Sequence, residues 1–118
     1  MIPEIKEQMS KAVSLKESGH LVAAEAILVQ LASEDPKSTA ILAVLGDTYW
    51  ELGRLDDAVI AFRRAIALAP TLEAVSLGLF HCLWKLKKRH EALEEVKRFQ
   101  TISDSQDYRE IIEQINRD

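Results

Sequence analysis

The sequence predicts an all-α protein, and three observations support this fold class. The chain has 118 residues with only three prolines and four glycines, so little in it interrupts long helices. No run of β-branched or aromatic residues alternates with the period of two that a strand requires. A pattern of small and apolar residues also recurs every 34 residues. We therefore predict seven helices joined by short turns.

Glycine and proline mark where these helices end. Gly19 and Gly53 each suit a left-handed helix C-cap, a conformation that glycine adopts without steric cost. Pro36 and Pro70 stop helices, because proline lacks the amide hydrogen and restricts the residue before it. The links are so short that neighbouring helices must be antiparallel. The predicted helices are Pro3–Ser18, Leu21–Ser33, Lys37–Leu52, Leu55–Leu68, Leu72–Lys87, Arg89–Ile102 and Ser105–Asn116.

The central stretch Thr39–Pro70 reads TAILAVLGDTYWELGRLDDAVIAFRRAIALAP. It resembles a tetratricopeptide repeat, whose pattern is W-x2-L-G-x2-Y, then A-x3-F, then P. The matching residues are Leu45, Gly46, Tyr49, Ala58, Phe62 and Pro70, with Gly53 and Ala65 also in place. Only the first aromatic position departs from the pattern, as Leu42. The resemblance implies a right-handed α-α superhelix that acts as a protein-binding adaptor or scaffold, and it names no partner.

Shifting the central repeat along the chain predicts one domain, residues 1–118, with three helix pairs and a C-terminal capping helix. The segments are about 5–36, 37–70 and 71–104 for the repeats and about 105–116 for the capping helix. The first repeat has Gln8 and Lys11 where the central repeat has leucines, which suits a helix with one face in water. We expect the buried positions to include Leu45, Gly46, Tyr49, Ala58, Phe62, Ala65, Leu79, Leu83, Ala92 and Val96.

The third repeat departs from the pattern where two helices cross. Phe80 stands in place of Gly46, a position at which a small residue normally lets helices approach closely. We therefore expect Phe80 to push the helices apart or to turn outward. Gly78 is a second possible source of the close contact.

The capping helix has one apolar stripe, formed by Tyr108, Ile111, Ile112 and Ile115. Ser103 with Gln106 can form a capping box at its start. Two interpretations remain open for this helix. It is either a fixed lid on the last apolar face or a detachable helix that binds a partner.

In the tetratricopeptide family the first helix of each repeat lines a concave groove, where ligands usually bind. The resemblance therefore implies a partner-binding groove in this chain, and its predicted residues are Met9, Val13, Val44, Asp47, Trp50, Leu77, His81, Trp84 and Lys85. The apolar and aromatic members suit an amphipathic helix or an apolar peptide. Trp50 recurs 34 residues later as Trp84. These two rings are either ligand contacts or scaffold residues that pack against each other.

Some members of the family hold a C-terminal carboxylate with Lys, Asn and Arg side chains. The matching positions in this chain are Met9, Val13, Val44, Ala74 and Gly78. None of these side chains can donate a hydrogen bond to a carboxylate. We therefore expect that the protein does not bind an Hsp70/Hsp90 C-terminal tail.

Charge and hydropathy argue against two other kinds of partner. The net charge is -4 and no wide basic face is visible, so we expect no nucleic acid. One basic run, residues 85–90, is either a dock for an acidic group or a solvated helix end. No stretch approaches the roughly 18 apolar residues that a membrane helix needs. With no apolar signal core at the N-terminus, we expect a soluble, cytoplasmic protein with no membrane partner.

We find no arrangement of residues that is typical of catalysis. The three histidines lie apart and show no metal-ligand spacing, and neither a glycine-rich phosphate loop nor a nucleophile elbow is present. The single cysteine, Cys82, allows no internal disulfide and is predicted to be a buried apolar residue. We therefore expect no enzyme activity, no cofactor and no metal.

Three functional hypotheses remain. The first is an adaptor that binds a segment of a partner in the groove, and the second is a self-associating, homo-oligomeric scaffold. The third is a dedicated chaperone, immunity protein or regulator of a single protein. The mass in solution at rising concentration separates the first two hypotheses. A stoichiometric partner that co-purifies would favour the third.

Overall fold

The computed structural model describes residues 2–117, which form seven α-helices and no strand. The helices are α1 (Pro3–Glu17), α2 (Leu21–Glu34), α3 (Thr39–Glu51), α4 (Leu55–Leu68), α5 (Glu73–Lys85), α6 (Arg89–Ile102) and α7 (Gln106–Arg117). Every predicted helix is present, and each end lies within two residues of its predicted place. The all-α prediction is confirmed.

Three equivalent turns join the two helices of each pair. Gly19 and Gly53 adopt φ of 83° and 77°, as expected for glycine caps, and Lys87 takes the same place in the third turn with φ of 63°. The same backbone hydrogen bond closes all three turns, with amide-to-carbonyl distances of 2.8 Å for His20 to Leu15, 2.9 Å for Arg54 to Tyr49 and 2.9 Å for Lys88 to Leu83. The geometry of the fold therefore repeats even where the glycine is lost.

The helices form an elongated antiparallel array, 46 × 26 × 20 Å in extent. Each helix from α1 to α6 packs against its neighbours in sequence, and the first helices of the pairs also contact one another, α1 with α3 and α3 with α5. Among residues 2–117 the second helices have no contacts this extensive with one another. Helices crowd together on the inner side of a curved array. We therefore assign α1, α3 and α5 to the concave face.

Phe62 lies at the centre of the core, between two glycines of neighbouring helices. A Cβ atom added to Gly46 in α3 would lie 2.6 Å from the Phe62 ring, and one added to Gly78 in α5 would lie 2.8 Å from it. Either distance is far below van der Waals contact. Gly78 therefore supplies a close contact between helices, as the sequence suggested when it offered Gly78 as a second source of that contact.

One of the two expectations for Phe80 is wrong. Its side chain is buried at 3% exposure and does not turn outward. The ring stacks on Trp84 with centroids 5.7 Å apart, and it meets Tyr108 of α7 edge-on at 5.8 Å. Space for the larger ring exists because the array ends at this point and α7, outside the repeats, covers it.

Nine of the ten predicted core residues are buried or nearly so, and Tyr49 is the exception. Tyr49 is only partly buried, and the Arg54 guanidinium lies over its ring, 4.7 Å from the centroid. Thr48 is fully buried although it was not predicted, and its hydroxyl donates to the Val44 carbonyl at 2.7 Å. Cys82 is buried as predicted, and this burial raises the pKa of its thiol to about 11.

A buried chain of hydrogen bonds anchors α7 to the third repeat. The Ser76 hydroxyl donates to Glu95 at 2.6 Å and lies 2.7 Å from the Tyr108 hydroxyl. Since Ser76 has a single hydrogen to donate, Tyr108 is the donor in the second bond. Arg98 completes the chain with two hydrogen bonds to Glu95, at 2.8 and 2.7 Å. Burial raises the pKa of Tyr108 well above its usual value, so this donor stays protonated.

The predicted capping box at the start of α7 is wrong by two residues. Ser103 ends α6 as its C-cap, and Ser105 is the residue that caps α7. The Ser105 hydroxyl accepts from the Tyr108 amide at 3.1 Å and donates to Glu73 of α5 at 2.6 Å. Ser105 therefore caps α7 and also connects it to α5. A local sequence pattern cannot reveal this second contact, because Glu73 is far from Ser105 along the chain.

Candidate functional site

The predicted groove residues lie on the first helices of the three pairs. Those in α1 are Met9 and Val13, those in α3 are Val44, Asp47 and Trp50, and those in α5 are Leu77, His81, Trp84 and Lys85. The apolar members other than Trp50 are partly buried, whereas Asp47, Trp50, His81 and Lys85 are exposed. This face therefore combines partly buried apolar side chains with exposed polar side chains.

Three clefts open on this face, and His81 borders all of them. A cleft of about 210 Å³ between α3 and α5 is lined by Asp47, Trp50, Phe62, Gly78 and His81. A cleft of about 260 Å³ between α5 and α7 is lined by Leu77, His81, Asp107, Glu110, Ile111 and Gln114. A neighbouring cleft of about 270 Å³ is lined by Phe80, His81, Trp84, Ile111, Gln114 and Ile115.

These clefts bring together five of the nine predicted residues and leave out four. Those brought together are Asp47, Trp50, Leu77, His81 and Trp84. Those that line none of the three clefts are Met9, Val13, Val44 and Lys85. The structure thus concentrates the candidate site in the C-terminal half of the groove.

The wall contributed by α7 was missed from the sequence. The residues of α7 that line the clefts are Asp107, Glu110, Ile111, Gln114 and Ile115. The sequence placed Ile111 and Ile115 on the apolar stripe of the capping helix, and it placed no residue of this helix in the groove. One available signal was the order of the helices. A helix that follows three helix pairs occupies the place of a fourth first helix, and first helices line the groove.

Trp50 and Trp84 do not stack on each other among the described residues. Trp84 stacks on Phe80, and the Arg89 guanidinium lies over its ring, 5.3 Å from the centroid. Trp50 is more open, at 36% exposure, and the Lys85 ammonium lies 5.1 Å from its ring centroid. Trp84 therefore packs within its own repeat, whereas Trp50 presents a ring to the cleft it shares with His81.

The basic run at residues 85–90 is partly used within the protein. Lys85 and Arg89 lie over the two tryptophan rings, and His90 lies 3.0 Å from Glu94. A cation above an aromatic face is attracted by the ring quadrupole. Because of these contacts, fewer cations at this turn are available to a partner than the basic sequence at residues 85–90 suggests.

Asp47 has no hydrogen-bond or ion-pair partner among residues 2–117. Lys16, whose charge acts on Asp47, forms its ion pair with Glu51 at 3.0 Å. Desolvation raises the pKa of Asp47, and the charge of Glu51 adds to this, while Lys16 opposes it. The carboxylate is thus partly desolvated, and the charge of Lys16 compensates this only in part.

Two further carboxylates face the groove from α7. Asp107 and Glu110 line the cleft on the other side of His81 from Asp47. Neither has an ion-pair partner among the described residues, and Glu110 accepts only a neutral hydrogen bond, from Gln106 at 3.0 Å. His81 therefore lies between acidic groups on both sides.

A family model of the tetratricopeptide repeat matches residues 15–62. This part of the chain therefore resembles a tetratricopeptide repeat. The fold of the chain is a right-handed superhelix of three helix pairs with a C-terminal capping helix. The similar solved structures share this fold. No curated protein matches the sequence.

Several solved structures share this fold at low identity. The Yersinia enterocolitica type III secretion chaperone SycD, in complex with a peptide of the translocator YopD, has a TM-score of 0.82 and 16% identity, covering 98% of this chain and 89% of SycD. A mutant of MamA has a TM-score of 0.78 and 20% identity, covering 88% of this chain and 76% of the MamA chain. A tetratricopeptide repeat protein from Parabacteroides merdae has a TM-score of 0.77 and 20% identity, covering 84% of this chain and 40% of that protein.

Residues 2–117 lack two other kinds of feature. No helix in this part of the chain combines the length and the apolar character needed to cross a membrane. Within the same range, no three His, Cys, Asp or Glu side chains come together as metal ligands would.

Proposed function

We propose that this chain is a non-catalytic protein-binding module that receives a helical or apolar segment of a partner protein in its concave groove. The observation that carries the proposal is the convergence of three clefts on His81. In this proposal the repeats at 5–36, 37–70 and 71–104 and the helix at 105–116 act as one domain.

The size of the clefts favours a peptide over a small molecule. Each holds about 210 to 270 Å³, below the roughly 300 Å³ at which pockets for drug-sized ligands begin. A row of small clefts instead suits successive side chains of one segment. In a bound helix, anchors at i, i+3, i+4 and i+7 would reach neighbouring clefts. SycD, which has the same fold, was solved with a peptide, and this supports a peptide as the ligand class.

The charges of the groove favour a partner segment that carries lysine or arginine among its apolar residues. Asp47, Asp107 and Glu110 have no ion-pair partner in the described part of the chain. A basic side chain from the partner would neutralise them. Complementary charge sets orientation and partner choice, and apolar burial supplies most of the affinity.

A peptide-display library selected on the immobilised protein tests this proposal. We expect the selected peptides to combine large apolar residues with lysine or arginine. Asp47→Lys should weaken their binding by at least about tenfold, because it replaces an attractive charge with a repulsive one. Asp56→Lys makes the same charge change at an exposed residue of α4, outside the three clefts, and should leave affinity unchanged within about twofold.

Fluorescence anisotropy of one selected peptide gives the affinities, and far-ultraviolet circular dichroism confirms that both variants fold. Equal losses in the two variants would mean that long-range charge, and not the groove, controls binding. Selection of acidic peptides, or of none, would contradict the proposal. One stoichiometric partner recovered from the native host would identify a dedicated partner within the same mode of binding.

A further inference from the structure

Helix α2 exposes an apolar ridge. Val22, Ala26 and Val29 are spaced four and three residues apart and therefore share one side of the helix. Val22 is 70% exposed and Val29 is 45% exposed, and Ala26 is also exposed. We call these three residues the α2 ridge. No charged side chain interrupts it.

The other two repeats show that the fold does not require this composition. At the same register α4 has Asp56, Ile60 and Arg63, and α6 has His90, Glu94 and Lys97. These residues are exposed as well, so the position faces solvent in all three repeats. In the second and third repeats this position includes charged side chains, whereas in the first repeat all three residues are apolar. The polar N-terminal repeat that the sequence suggested thus holds for α1 and not for α2.

A cleft lies on each side of the ridge. Ala26 borders a cleft of about 360 Å³, which is lined by Gln8, Ala26, Ile27, Gln30, Leu31 and Glu34. Val29 borders a cleft of about 420 Å³, which is lined by Val29, Ala32, Ser33, Pro36, Leu45, Tyr49 and Arg64. One surface therefore contains both a narrow ridge of small side chains and the hollows into which such a ridge fits.

We propose that the α2 ridge is a self-association surface, on which a second copy of this chain docks about a two-fold axis. A two-fold interface uses the same patch on both protomers, so that patch must complement itself. A ridge next to a cleft meets this condition, because each ridge can lie in the cleft of the other copy. This surface is distinct from the groove around His81, and each protomer keeps its groove open.

Electrostatics favours a second copy over a partner of different chemistry. Self-pairing brings identical charges together, and the three ridge residues carry none to repel. The clefts beside the ridge contain one carboxylate, Glu34, and one cation, Arg64. The nearest carboxylates are engaged within the chain, since Glu25 accepts from Arg54 at 2.5 Å and Glu34 accepts from Gln30 at 2.9 Å. A partner of opposite charge would find no counter-charge on the ridge to recognise.

Sedimentation equilibrium over a wide range of concentration tests the proposal on the full chain. We expect the apparent mass of the unmodified protein to rise from that of a monomer to twice that value. The double variant Val22→Asp, Val29→Arg introduces the residues that α4 has at the same register, so the fold tolerates them. It should raise the dimer Kd by at least about tenfold, because unpaired charges would be buried at the interface.

Ile60→Glu is the matched control. It removes an exposed apolar side chain, 58% exposed, from the corresponding position of α4 and replaces it with the residue type found in α6. This variant should associate as the unmodified protein does. The proposal is overturned by an unmodified protein that stays monomeric at the highest concentration. A double variant that still dimerises, or a control that loses dimerisation equally, overturns it too.

Discussion

Replacement of Lys87 by glycine is expected to stabilise the protein. Lys87 occupies the left-handed region with φ of 63°, at the place where the first two repeats have glycines with φ of 83° and 77°. The hydrogen bond that closes the turn runs from the Lys88 amide to the Leu83 carbonyl. Residue 87 contributes only the backbone conformation that permits this bond. Lys87 is exposed, and its side chain makes no hydrogen bond or ion pair within residues 2–117.

The size of the gain follows from two opposing effects. A side chain in the left-handed region costs roughly 1–2 kcal/mol. Glycine removes that cost but loses about 0.5–1 kcal/mol more entropy on folding. We therefore expect a net gain of about 0.5–1 kcal/mol in the free energy of unfolding. For a chain of this length the gain corresponds to a rise in Tm of roughly 2–5 °C.

Urea unfolding followed by far-ultraviolet circular dichroism measures this gain, and Lys87→Ala is the control. Alanine removes the same charge and side chain but keeps a Cβ atom, so it should not stabilise the turn. Gly53→Ala tests the converse, because a Cβ at Gly53 meets no other atom and only the backbone cost remains. It should lose about 1 kcal/mol. If Lys87→Gly is no more stable than Lys87→Ala, the backbone of the third turn is not strained and the reasoning fails.

Three further substitutions test the core, the anchor of α7 and the groove. Gly78→Ala should lose about 1–3 kcal/mol in urea unfolding, since its Cβ would lie 2.8 Å from the Phe62 ring; Phe62→Leu in the same chain should recover part of the loss. Tyr108→Phe removes one buried donor, so we expect a loss of about 1 kcal/mol and faster amide hydrogen exchange in α7. Unchanged exchange would contradict the anchoring role. Asp47 has a raised pKa, so the folded state holds its proton more tightly than the unfolded state and stability falls as pH rises above 3.8. Asp47→Asn should therefore be slightly more stable than the unmodified protein at neutral pH and lose this advantage in acid, as urea midpoints at both pH values would show.

The raised pKa of Asp47 also connects stability with the proposed function. A carboxylate that is partly desolvated and unpaired costs folding energy. Functional sites commonly keep such groups because a ligand compensates them. Loss of the Asp47 charge, as in Asp47→Asn, is thus expected to weaken peptide binding while it stabilises the free protein.

The anchoring of α7 bears on the choice between a fixed lid and a detachable helix. Tyr108 is fully buried, and its hydroxyl begins the chain of hydrogen bonds through Ser76 to Glu95. Release of α7 would expose Phe80 and break the hydrogen bond between Tyr108 and Ser76, while Ser76 would keep its bond to Glu95. A buried hydrogen-bonding group that loses its partner costs roughly 1–3 kcal/mol. Hydrogen exchange in the Tyr108→Phe variant therefore measures how firmly the lid is held.

The helices and most of their turns could be predicted from the sequence because their causes are local. Proline and glycine act on their own backbone, so Gly19, Gly53 and Pro70 reveal where elements end. The 34-residue recurrence is also visible in the letters alone, and it implies that each helix pair packs in the same way. The burial of Ala58 and Phe62 follows from that repetition.

Contacts between distant residues decided the rest. Phe80 points inward only because Tyr108 meets it at the end of the array, and Ser105 caps α7 while donating to Glu73 on another helix. His81 gains its central place because clefts from both sides of α5 meet there. Each of these features depends on side chains that are far apart along the chain, and their distances exist only once the helices have packed.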